Sequence, residues 1–105
     1  MLFNKDLIDK VLDGKKTMTS RSKQLCEVGE VTNLMANRDF SKISGKYIKI
    51  TAVYPKALGE FTDYEAKKEG FENLVEFKAY WQKNRKKLGE WKPETVVWVH
   101  EFDVV

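Results

Sequence analysis

The sequence predicts an α+β fold: a small mixed or antiparallel sheet, curled with flanking helices into a partly closed β-barrel. Three observations point there. The apolar periodicity runs in the order helix, strands, helices, strand, and short turns join neighbouring strands. A chain of 105 residues supplies one modest core, and no linker, repeat or low-complexity tract divides it. So small a sheet conceals its edges best by curling toward closure.

The first helix is signed at both ends. Asn4 stands at the N-cap, Asp6 lies in the first turn, and Leu7, Ile8, Val11 and Leu12 recur at helical spacing. Phe3 is placed to staple onto Ile8, and Gly14 supplies a left-handed stop. Thr17 to Arg21 then reads as a short strand. "VGEVTNLMA" from Val28 and "YIKITAVYP" from Tyr47 read as two more, with "SKISGK" turning between them and Pro55 ending the second.

Two helices follow. Thr62 with Glu65 makes a capping box for a helix through Lys68 or Glu69, stopped by Gly70. Asn73 with Glu76 makes a similar box for a longer helix carrying Leu74, Phe77, Tyr80 and Trp81. Its basic end, "KNRKKLG", suits the negative pole of the helix dipole, or alternatively offers a nucleic-acid patch. "TVVWVHEFDVV" closes the chain as a strand, and Val96 to Val99 suggest a central one buried on both faces.

Composition narrows the function classes. With 42% apolar and 12% aromatic residues the chain has enough for a core, which argues against disorder. No apolar run approaches the roughly 20 residues that span a bilayer, and no signal peptide opens the chain, so a soluble, cytoplasmic protein with no membrane partner is expected. Cys26 is the sole cysteine and His100 the sole histidine, which excludes an intrachain disulfide and argues against a metal site; no cofactor is expected. Cys26 and His100 read as a small core thiol and a strand histidine, or as a catalytic pair. Residues 1–60 hold 11 Lys and Arg against 7 Asp and Glu, so a net charge of +3 conceals a basic N-terminal half. That asymmetry is compatible with a phosphate-bearing partner.

The stretch "DGKKTMTSR" concentrates what chemistry there is. Strand alternation puts Thr17, Thr19 and Arg21 on one face, a row of two hydroxyls and a five-donor cation that fits a phosphate or a base edge. Lys16 falls on the other face, and joins Thr19 only if the backbone twists after Gly14. A solvated edge strand, rich in threonine and guarded by Lys15 and Lys16, fits the same residues. Glu69 is out of place at a helix C-terminus, where a carboxylate opposes the dipole. Either a nearby cation pairs with it, or it shares protons in a sheltered site.

"GKKTMTSR" after a short amphipathic helix, with "GEVTNL", "KEGFENLVEFKAYW" and the final "VVWVHEF", resembles the ASCH (activating signal cointegrator homology) domain, of PUA-like fold. The resemblance spans residues 1–105 as a single domain. It implies a cleft between barrel and helices, with RNA or a modified nucleoside as ligand. Some small bacterial members are amidohydrolases that deacetylate acetylcytidine through a lysine, a threonine and a glutamate, which correspond here to Lys16, Thr19 and Glu69. Arg21 matches the family's arginine. Other members are associated with nucleic-acid binding or nuclease activity. Two functions follow from the resemblance. One is a binding module in which Lys15, Thr17, Arg21, Arg38 and Lys56 contact RNA or substrate around Lys16, Thr19 and Glu69. The other is a hydrolase in which Lys16 is base, Thr19 nucleophile and Glu69 proton shuttle. For the latter, burial beside Lys15 and Arg21 would have to lower a lysine pKa that is ordinarily about 10.4. This chain departs from the hydrolases in the aromatics Tyr80, Trp81 and Trp91, which read as packing or as stacking platforms for bases. A non-catalytic adaptor in a protein assembly is a third reading.

Overall fold

A computed structural model describes residues 1–36, 42–84 and 90–105. Its elements are β1 (Leu2–Phe3), α1 (Lys5–Leu12), β2 (Met18–Arg21), β3 (Val31–Ala36), β4 (Lys42–Ala57), a 3-10 turn (Leu58–Glu60), α2 (Asp63–Lys68), α3 (Leu74–Asn84) and β5 (Val96–Val104). The sheet is five-stranded and mixed, in the order β1-β3-β4-β5-β2. β1 runs parallel to β3, and every other pairing is antiparallel. It curls into a half-barrel, as the sequence predicts.

The two apolar clusters follow from strand alternation. Val97 and Val99 of β5 pack with Met18, Phe61, Phe77 and Trp81 toward α2 and α3. Phe102 of the same strand joins Ile48, Ile50 and Leu34 in the second cluster, with Phe3, Ile8 and Val11. α1 contributes to both, because Leu7 belongs to the first and its neighbour Ile8 to the second.

Curling brings the outermost strands together. The Arg21 guanidinium of β2 donates through Nη2 to the Leu2 carbonyl of β1 at 2.5 Å and lies over the Phe3 ring at 5.3 Å. A side chain thus ties edges that share no ladder.

Several boundaries differ from expectation. Residues 28–30 form a turn, with Gly29 at φ 91 and its N–H on the Ile50 carbonyl at 2.7 Å, so β3 starts at Val31. β4 begins within the expected turn, at Lys42, and includes Gly45 at φ 71. It also runs past Pro55. β3 pairs with β4 only as far as Lys49, so at Pro55 the strand has β5 on one side alone, where a missing N–H is tolerated. β5 is central, between β4 and β2, yet Val96 is 56% exposed while Val97 and Val99 are buried. At this end the sheet is covered on one face, so alternation replaces burial on both. β1 has too few residues to show a periodicity.

Candidate functional site

The site is assembled where the α1–β2 connection meets the C-terminus of α2. Three successive carbonyls there lack intrahelical partners, and one short segment supplies donors to all of them. The Thr17 N–H donates to Lys68 O at 2.8 Å, the Lys16 ammonium to Glu69 O at 2.9 Å, and the Lys10 ammonium to Gly70 O at 2.7 Å. Cations suit that end of the helix. The chain reaches it by turning at Gly14, φ 77, after which the N–H groups of Lys15 and Lys16 both donate to Lys10 O. Beyond this turn the Lys16 side chain reaches the Glu69 carboxylate and lines the same cavity as Thr19.

Lys16, Thr19, Ser20 and Glu69 are each only 2% exposed, and all four line one cavity of about 110 Å³. Lys16 Nζ donates to Glu69 Oε1 and to Met18 O, both at 2.9 Å. The other carboxylate oxygen, Oε2, accepts from the Ser20 hydroxyl at 2.5 Å. Thr19 has a different partner, its Oγ1 accepting from Arg21 Nε at 3.1 Å. The remaining lining includes the aromatic rings of Phe71, Tyr80 and Trp81 and the amides of Asn4 and Asn84.

Asn4 sits at the N-cap of α1 without capping it. Its amide nitrogen instead donates to the Tyr80 hydroxyl and, at 3.4 Å, to Asn84 Oδ1. That joins the start of the chain to α3 across the cavity's polar rim.

The remaining residues singled out in the sequence lie apart. Lys15 is exposed, and Thr17, half-buried, does not line this cavity. Lys56 pairs with Glu65 at 3.6 Å and lies over the Phe61 ring, away from the cavity lining. Arg38 and much of "KNRKKLG" lie outside the described residues. Trp91 packs edge-on against Phe61, Phe77 and Trp81 in the aromatic cluster, whereas Tyr80 and Trp81 line the cavity.

Ser20 is the group that alternation hides. Register pairs Thr19 with His100 and Ser20 with Val99, which places the two hydroxyls on opposite faces of β2. Both line the same cavity because β2 is an edge strand beside the α2 terminus. An unexpected hydroxyl on the far face of an edge strand is the only trace it leaves in the sequence.

His100 is fully buried, and its Nε2 accepts the Leu25 N–H at 3.1 Å. Burial holds its pKa below the usual value. Cys26 lies in the second apolar cluster, and burial, with help from Glu30, pushes its thiol up, away from a reactive thiolate. A core thiol and a strand histidine are the outcome. No group of three or more potential metal ligands occurs among the described residues. None of their helices is long and apolar enough to cross a membrane.

Among the described residues, a half-closed five-stranded sheet flanked by three helices, with a polar cavity at its edge strand, defines an α+β protein of PUA-like architecture. The chain belongs to the ASCH domain family, whose model matches residues 1–105. Among solved structures it is similar to an ASCH domain from Lactobacillus crispatus, with 20% identity, a TM-score of 0.65, and coverage of 91% of this chain and 68% of that one. It is similar also to a protein from Enterococcus faecalis, with 18% identity, a TM-score of 0.69, and coverage of 95% and 67%. No curated protein matches the chain.

Proposed function

We propose that the cavity binds RNA or a modified nucleoside, with Lys16, Thr19, Arg21 and Glu69 as its polar contacts. One observation carries this reading: a buried Lys16–Glu69 ion pair and two hydroxyls share a cavity with the aromatic side chains of Phe71, Tyr80 and Trp81. A buried ion pair stabilises a fold little or not at all compared with apolar residues of the same shape, so its placement in a cavity favours a ligand role. Aromatic rings beside hydrogen-bonding groups suit a planar base with polar edges. The family is associated in general with RNA binding. Lys15 and Lys56, outside the cavity lining, are outlying contacts for phosphate in this reading.

Titrating acetylcytidine and a short single-stranded RNA into the protein at two salt concentrations tests this. RNA affinity is expected to fall steeply with salt, the logarithmic slope being about −0.7 per phosphate neutralised, while nucleoside affinity barely changes. Glu69→Gln should weaken both. If neither ligand binds, or if Glu69→Gln binds as the parent does, the reading fails. Either substitution leaves one charge of the buried pair unmatched, at about 3–5 kcal/mol of stability, and Lys16→Ala is the poorer probe because it also removes the donor to the Met18 and Glu69 carbonyls.

A second reading, amide hydrolysis on an acetylcytidine-type substrate, is favoured by the coupling of both Glu69 oxygens, one to an ammonium and one to a hydroxyl. In it Lys16 and Glu69 manage protons while a hydroxyl, assigned to Thr19 by family resemblance, attacks the acyl carbon. Release of cytidine and acetate would support it, and intact substrate after prolonged incubation would exclude it.

A further inference from the structure

We infer that Ser20 is the acyl-accepting nucleophile of this cavity, with Glu69 as its general base and Lys16 as the group that orients that base. The inference rests on the hydrolytic reading above and reassigns its nucleophile from Thr19.

The geometry distinguishes the two hydroxyls. An alcohol becomes a nucleophile when a base takes its proton, which requires contact at hydrogen-bond distance and a third group to fix the base. Ser20 meets both conditions. Its Oγ–H donates to Glu69 Oε2 at 2.5 Å, and Lys16 Nζ holds Oε1 of the same carboxylate at 2.9 Å. Lys16 is itself fixed by the carbonyls of Met18 and Glu69. Thr19 Oγ1 instead accepts a hydrogen bond from the Arg21 guanidinium at 3.1 Å. That bond orients the threonine lone pair toward a cation and lowers its nucleophilicity. The same bond leaves the threonine hydroxyl suited to donating toward a bound ligand.

The Ser20 oxygen forms a bond to the amide carbonyl carbon, and its proton passes to Glu69 Oε2. The tetrahedral intermediate collapses with cleavage of the C–N bond, and the proton on Glu69 moves to the departing nitrogen, giving a free amine and an ester at Ser20. A water then attacks the ester carbonyl, its proton passing to Glu69. Cleavage of the C–O bond returns a proton to Ser20 and releases the carboxylic acid. Lys16 exchanges no proton in these steps and holds Oε1 of the Glu69 carboxylate in place.

Incubation with acetylcytidine, and separately with p-nitrophenyl acetate as an activated acyl donor, followed by acid quench and peptide mass spectrometry, tests the assignment. Trypsin releases residues 17–21 as one peptide carrying both hydroxyls, so fragmentation assigns the acyl group. An acetyl group on Ser20 is expected, absent in Ser20→Ala, with turnover in that variant down by about 100-fold or more. Ser20→Cys should carry the acetyl as a thioester at the same position, an outcome that a purely structural hydroxyl would not give. An acetyl group on Thr19 overturns the inference and leaves hydrolysis standing. Binding of acetylcytidine without acylation or turnover overturns it and hydrolysis together, leaving the binding site. Loss of binding as well overturns all three.

Discussion

Gly70 shows how tightly single residues define the cavity. Its φ is 100, which L side chains rarely adopt, and a Cβ built there would lie 3.2 Å from Lys10 Cδ and 3.3 Å from Lys16 Cβ. Gly70→Ala therefore combines backbone strain with displacement of the two lysines that satisfy the α2 terminus. We expect a loss of about 1–3 kcal/mol in denaturant unfolding, with weakened ligand binding in the fraction that remains folded. A ligand affinity untouched by this substitution would separate Lys16 from the site. At this scale the sequence was legible by type and not by pairing. Lys16 and Glu69 could be picked out as candidates, the glutamate because it opposes its helix dipole. Their contact, and the diversion of Arg21 to Thr19 and the Leu2 carbonyl, depend on a curl that no local pattern records.

Helix α2 is the element on which the site turns, and its six residues are too short to stand alone. It relies on its ends. At the start, Thr62 Oγ1 accepts the Tyr64 N–H while Glu65 reaches back to the Thr62 N–H, the capping box visible in the sequence. Along its side, Lys68 pairs with Glu101 of β5 at 2.9 Å. Thr62→Ala should cost about 1 kcal/mol, read by thermal or chemical unfolding, and should loosen Glu69 as the helix frays. Helices were the most legible elements, because caps and glycine stops lie within a few residues of what they govern. Strands were less so. The turn at Gly29, the early start of β4 and its passage beyond Pro55 are set by which neighbour each residue faces, and that neighbour is distant in sequence. β1 pairs with β3 over two residues only, below the length at which alternation means anything.

Across the whole molecule, His100 couples stability to pH. Burial disfavours its charged form and lowers its pKa below 6.5, so the unfolded chain binds the proton first as pH falls. Stability present above pH 6.5 is therefore lost progressively below it, until the folded imidazole also protonates. Glu101 does not confuse this window: burial alone would raise its carboxyl, but hydrogen bonds from Lys68 and Tyr54 outweigh that and lower it below 4.5. Urea unfolding at pH 7.5 and 5.5 should show the parent losing stability, and His100→Gln, weaker throughout, losing less between the two. Equal losses would place the acid sensitivity elsewhere. The strand that carries His100 has a further consequence. β2 comes early in the chain, yet among the described residues its ladder partner is β5, the fifth of five strands in chain order. During synthesis the hydroxyl row must wait for its ladder partner until β3, β4, α2 and α3 have emerged. A nascent chain halted before β5 would hold every lysine, hydroxyl and carboxylate of the cavity and still be unable to bring them together.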